Sequence, residues 1–254
     1  MQPNQRKRPS YLIQLLDLTL IQLSNWRWSW RRMIVTGMVV PLFGIVGLGI
    51  FAREAGQETL SYILIGNVVV ALMFENMGKV SGNFAYMRAM GTLNYFATLP
   101  VYRHALVLGT VIAFGLLSLP ALLVTIVFGS LFLGVSLHIH PLILLVIPLV
   151  TVPLASLGAL IGISAHTPEE ANYTSVLLTF GMMALGPVLI PPSRLPEFMS
   201  IVGYFSPATY AASALRQVLL GPLTTQILVD LTVLATLAAC VAWLVVRRMD
   251  WRQE

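Results

Sequence analysis

Apolar residues in this chain come in long runs, and polar residues are gathered into the short stretches between them. A helix that crosses the hydrocarbon core of a bilayer needs about 20 mostly apolar residues. Windows of that kind occur at about 33–52, 60–80, 105–134, 141–163, 172–190 and 224–246, so the pattern predicts an all-α membrane protein with six transmembrane helices. The third window is longer than one straight crossing and contains Pro120, which predicts a kinked or tilted helix whose ends project beyond the core.

Two of the intervening stretches have patterns of their own. Residues 10–32 place Leu12, Leu15, Leu16, Leu20, Leu23 and Trp26 on one helical face, with Gln14, Asp17, Ser24 and Asn25 towards the other. This predicts an amphipathic helix lying in the membrane interface. Trp26, Trp28 and Trp30 interleave there with Arg27, Arg31 and Arg32, side chains suited to the headgroup level. Segment 191–221 is too broken by Pro191, Pro192, Pro196 and Pro207 to span, yet too apolar for a solvated loop. Two short helices fit between Leu195 and Leu220, the second with Ser206 as cap and Pro207 at its first position. Non-helical backbone at membrane depth is tolerated only under protein cover, so a re-entrant helical hairpin in the outer half of the membrane is expected before the last span.

Ionisable groups are few enough to take singly. Glu75 lies well inside an apolar window, where an acid marks a candidate substrate or proton site. Lys79 follows one turn later, at a spacing that favours an ion pair instead. Asp230 stands about a turn and a half into the last window and is expected to reach the outer interface. In the loop SAHTPEEANYT, His166, Glu169 and Glu170 resemble a metal-ligating or hydrolytic group. Thr167 as cap, Pro168 at the first helical position and Glu170 three residues after the cap give a capping box that accounts for the same residues. His138 and His140 alone are a weak metal signal, and no metal site is expected. The glycines at 37, 44, 47, 49, 158 and 162 suit close helix packing.

Composition agrees with the pattern. Of the 254 residues 57% are hydrophobic and 10% charged, against a charged fraction of about a quarter in soluble domains. The single cysteine, Cys240, excludes an intrachain disulfide and reads as a small buried or lipid-facing residue. The basic run Arg6–Arg8 before an apolar stretch lacks a small-residue cleavage site, so it is not read as a signal peptide. With six crossings, 12 of the 15 Lys and Arg residues fall on one side. Both termini and the loop around residues 84–100 are therefore expected in the cytoplasm, and the basic balance needs no nucleic acid.

That loop is the most informative stretch. In GTLNYFATLPVYRHALVLG, residues 91–109, Thr92 caps a short helix that carries Leu93, Phe96 and Ala97 on one side and stops before Pro100. Such a helix is too short to stand alone in water, so it must dock, and a groove in a partner is the expected place. The chain has no phosphate-cradling G-x-x-x-x-G-K-[ST], no G-x-S-x-G and no H-E-x-x-H. A membrane protein without buried catalytic groups or a network of intramembrane charges most plausibly moves something, with energy supplied from outside the chain.

Two ordered motifs resemble the membrane-spanning permeases of type-2 ABC transporters, which include bacterial drug-resistance and polysaccharide exporters. Gly91-Thr92-Leu93, Ala97-Thr98, Pro100, Arg103 and Leu108-Gly109 are similar to the family's cytoplasmic coupling segment. Leu195-Pro196, Phe205-Ser206-Pro207-Ala208-Thr209-Tyr210, Leu215-Arg216 and Gly221 are similar to its external re-entrant region. Asn94 stands where many relatives carry an acid, which removes a charge-assisted contact with the partner. The resemblance implies a single permease domain over 1–254 in the bacterial cell membrane, which is not itself an enzyme. It would work as a dimer, expected to be a homodimer, with two copies of a separately encoded ATPase that binds ATP and Mg2+. It implies a substrate path along the dimer seam, lined by the first, second and fifth spans, and an amphipathic drug-like or lipid-like cargo. Export of a lipid-linked polysaccharide and a membrane-embedded hydrolase are the alternatives.

Overall fold

The structure, a computed structural model, describes residues 10–25, 30–52 and 54–248. Trp26 and Arg27 lie outside the described residues, as do the side chains of Trp30, Arg31 and Arg32. The described residues form helices and no strands. In chain order these are α1 (Tyr11–Asn25), α2 (Trp30–Phe51), α3 (Gln57–Leu72), a π-helical turn (Met73–Gly78), α4 (Lys79–Ala89) and α5 (Thr92–Thr98). There follow α6 (Arg103–Leu133), α7 (Ile143–Ser164), α8 (Pro168–Ala184), a 3-10 turn (Pro192–Arg194), α9 (Glu197–Gly203), α10 (Pro207–Leu220) and α11 (Gln226–Arg248).

Four stretches are long and apolar enough to cross a membrane: Gln57–Ala89, Arg103–Leu133, Ile143–Ser164 and Gln226–Arg248. Tyr11–Ser24 and Val35–Phe51 are shorter apolar helices. The chain is therefore a multi-pass membrane protein. The 33 residues of Gln57–Ala89 form one continuous rod, so the window at 60–80 and the start of the segment at 84–100 are a single helix. At about 1.5 Å per residue this rod and the 31-residue α6 both outrun the roughly 30 Å hydrocarbon core. Pro120 is accommodated within α6 without ending it.

The main core joins α3, α6, α7, α10 and α11 through residues such as Leu72, Met77, Leu122, Leu154, Leu215 and Leu234. Small residues set the helix spacing. A Cβ on Gly158 or Gly162 of α7 would run into the backbone carbonyls of Met77 and Ser81. One on Gly37 or Gly44 of α2 would collide with the side chains of Glu75 and Asn67. The expected close packing is present at these four positions, whereas Gly47 faces open space.

The first helix ends at Asn25, and Trp30 already belongs to α2, so the interface helix is shorter than residues 10–32. Its faces are also used the other way round from a soluble amphipathic helix. Gln14, Leu18, Thr19 and Gln22 are buried against the protein, whereas Leu12, Leu16 and Leu20 are 60–69% exposed and Asp17 is exposed. Lipid tails accept leucine as readily as a protein core does, but a glutamine amide away from water needs protein partners.

Candidate functional site

A cavity of about 890 Å³ opens between α2, the π-turn with α4, and α8. One side of it is closed by Ile21 and Gln22 of α1 and by Thr92, Tyr95 and Phe96 of α5. Its walls mix aromatic and aliphatic side chains, such as Phe74, Tyr86 and Val176, with neutral hydrogen-bonding ones, such as Asn83, Asn172 and Thr179. Ser81 and Ser175 share a hydrogen bond of 2.6 Å that ties α4 to α8 behind it. None of these small polar residues stood out in sequence, where single hydroxyls and amides in apolar helices are easily passed over. Their signal is the interhelical hydrogen bond that such side chains make in lipid.

Lys79 lines the cavity, and its ammonium donates to Glu75 Oε1. The expected ion pair is present. Glu75 is 1% exposed, sits in the π-turn, and has no partner at Oε2 among the described residues. Asn76 Oδ1 beside it likewise has none among the described residues. π-turns inside α-helices concentrate at functional sites, and here one adjoins this cavity.

The short helix expected at the loop is α5, and it ends as expected, with Leu99 extended before Pro100. Its cap is different. Gly91, at φ 68, occupies the N-cap, and Thr92 is the first helical residue without a capping bond. The chain reverses sharply after Ala89 through a left-handed residue, which glycine adopts without a Cβ penalty. The docking face differs as well. Leu93 and Phe96 are buried in the chain's own cluster with Leu18, Phe84, Met87 and Leu106. The exposed face of α5 consists of Asn94, Tyr95, Ala97 and Thr98, while Pro100 and Arg103 border it, also exposed.

The hairpin of α9 and α10 lies at the opposite end of the rod. The Arg216 guanidinium stacks 3.5 Å from the centroid of the Tyr62 ring, near the start of α3. Tyr210 donates to the carbonyl of Tyr204 at 2.8 Å, and Pro196 precedes the first turn of α9. Pro207 takes its expected place, but the Ser206 hydroxyl makes no capping bond. Asp230 does not reach outwards. It is 1% exposed and accepts from Ser213 (2.6 Å), Gln217 (3.1 Å) and Gln226 (3.2 Å), which pins α11 to α10. Backbone N–H groups of His138 and His140 donate to the last carbonyls of α10, a structural role for that linker. Cys240 is exposed on α11.

Residues 15–220 match the ABC-2 type transporter family. The chain belongs to this family. The matched region runs from within α1 to the end of α10 and contains α5, the cavity and the whole hairpin. A daunorubicin resistance ABC transporter permease protein of Streptomyces coeruleorubidus is 25% identical over 217 residues, covering 82% of this chain and 69% of that relative.

In this ABC-2 type permease the stretch with His166, Glu169 and Glu170 is a helix cap. Glu170 N–H donates to Thr167 Oγ1 at 3.1 Å, and Glu170 Oε2 accepts from the His166 N–H at 2.8 Å. His166 Nδ1 lies 3.3 Å from the same oxygen, and both side chains are at least half exposed. The backbone N–H of His166 is the main reason the Glu170 carboxyl is held below the usual carboxylate range. A depressed carboxylate contributes stability above its unfolded pKa of about 4.3, which is lost as pH falls through the folded value. The His166 amide is therefore expected to lose hydrogen-exchange protection on acidification through this range, and Glu170→Gln is expected to flatten that dependence. A pH-independent amide in the wild type would contradict the cap.

Proposed function

We propose that this chain is the permease subunit of an ATP-driven exporter of amphipathic drug-like or lipid-like compounds. The observation that carries the reading is that one cavity is lined both by the spans and by α5, the helix with an exposed face for a partner. Movement of α5 thus acts directly on the wall of a space large enough for a small molecule. The permease relative named for daunorubicin resistance supports a drug-like cargo. Four aromatic side chains in the lining, Phe74, Tyr86, Tyr95 and Phe96, favour export of a lipid-linked polysaccharide as the second reading.

In this scheme six helices span, with α2 and α8 joining the four long ones. Both termini and α5 face the cytoplasm, and the α9–α10 hairpin re-enters from outside. A second permease, of the same chain, packs along the side where α2 and α8 frame the cavity. Two copies of a separate ATPase hold ATP and Mg2+, and their closure displaces α5.

Ala97→Asp, on the exposed face of α5, is expected to weaken co-purification of the ATPase about tenfold or more while the permease stays folded and inserted. Unchanged binding would remove α5 as the docking element. ATP hydrolysis by the reconstituted complex is expected to be stimulated by apolar amphipathic compounds. Stimulation only by lipid-linked oligosaccharide would select the second reading.

A further inference from the structure

The side chain of Gln14 bridges the loop that joins α5 to α6. Its Oε1 accepts from the Tyr102 N–H at 3.0 Å, and its Nε2 donates to the Pro100 carbonyl at 3.4 Å. Pro100 follows the end of α5, and Tyr102 is the N-cap of α6. One amide from α1, 2% exposed, thus holds both sides of the joint. Opening it would take both of these partners from the buried Gln14 amide, and losing a partner costs a buried polar group more than the net strength of the bond.

The rest of this face of α1 is fixed to α6. Leu18 and the backbone of Thr19 approach Gly109 so closely that a Cβ there would stand 3.1–3.2 Å from them. Gln22 Nε2 donates to Thr110 Oγ1 at 3.2 Å. The Tyr11 ring lies 6.1 Å from that of Tyr102 and 5.5 Å from that of His104. Along α1 these attachments lead into α6, and Gln14 adds a hydrogen bond to the Pro100 carbonyl just beyond α5, beside the apolar cluster that Leu18 shares with Leu93 and Phe96. Meanwhile α1 and α5 each supply part of the same cavity wall.

We infer that Gln14 is a positioning residue through which displacement of α5 is passed to α1, so that the two helices move as one wall of the cavity. This rests on the reading of α5 as the helix the ATPase displaces. This glutamine of a leucine-rich helix is then a latch between two moving parts. Its two bonds hold their geometry while the wall they belong to moves.

The test uses the full permease and ATPase complex in liposomes, with labelled permeases diluted among unlabelled ones so that distances within one chain are read. Exposed Cys240 on α11 carries the reference spin label. The second label is at Leu16→Cys on α1 or at Ala97→Cys on α5, the latter used only after binding of the ATPase to it is verified. In the wild-type background both distances are expected to change on trapping with ATP and vanadate. Gln14→Met keeps the length of the side chain but removes both bonds, and is expected to abolish the α1 change while the α5 change and ATPase binding persist. Gln14→Glu, which keeps the acceptor for Tyr102, is expected to retain it. An undiminished α1 change in Gln14→Met overturns the inference. Absence of an α5 change in the wild type overturns the underlying reading instead. Should Gln14→Met fail to assemble, exchange at the wild-type Tyr102 amide decides. Equal protection in free and trapped states supports the latch, and faster exchange when trapped overturns it.

Discussion

Leu93→Asp is expected to deplete the folded permease itself, before any partner is involved. Leu93 is 5% exposed and Phe96 8%, and both sit in the cluster that also holds Leu18, Phe84 and Met87. Truncating a buried leucine costs about 2–5 kcal/mol, and a carboxylate in its place adds the penalty of an unpaired polar group in an apolar site. Against a total stability of about 5–15 kcal/mol this is a large fraction. The measurement is thermal unfolding and yield in mild detergent, with Ala97→Asp as the control from the exposed face of the same helix. Wild-type stability for Leu93→Asp would mean that α5 is not docked on its own chain. A binding assay alone would misread this variant, since lost protein and lost affinity look alike.

The second large effect is expected at Lys79. Lys79→Met leaves Glu75, 1% exposed, as an uncompensated acid between α2 and the π-turn. Breaking one side of a buried ion pair costs about 3–5 kcal/mol, whereas replacing both partners is often close to neutral. The combination of Glu75→Gln with Lys79→Met is therefore expected to recover most of the stability lost in Lys79→Met alone. Equal losses in the single and double variants would show that the pair is not what holds this site together. If the paired variant is stable but transport fails, the pair serves the cavity rather than the fold.

The helices and their order were largely legible in the sequence because apolar run length and proline position are local properties. Thus α6, α7 and α11 begin and end within about two residues of the expected windows. Glu75 with Lys79, and Thr167 with Glu170, were legible for the same reason, since each pair is separated by a turn or less of one helix. What escaped depends on which face meets protein. The pattern of α1 separates leucine from glutamine correctly but does not say which side is lipid, and so Gln14 passed for a solvated residue. Leu93, Phe96 and Ala97 share a face by pattern, but the pattern does not show that the chain's own residues, such as Leu18, Phe84 and Leu106, cover Leu93 and Phe96 and leave Ala97 exposed. Asp230 was placed by depth along its helix, whereas α10 supplies its three donors from residues 213 and 217 together with residue 226 of α11.

The π-turn at Met73–Gly78 also acts as a change of phase. It packs one more residue into its rise than an α-helix would, so every side chain beyond it is indexed one position later around the rod. Rewinding the same residues as uninterrupted α-helix would rotate Lys79–Ala89 by about 100° relative to α3, whereas removal of a single residue there, such as Asn76, would restore α-helical winding and keep their present phase. Val80 and Phe84 now point into the core while Asn83 and Tyr86 line the cavity, and the rewinding would carry Asn83 and Tyr86 to the buried places that Phe84 and Met87 hold. The π-turn is therefore more than a local irregularity: it decides which side of the rod faces the cavity.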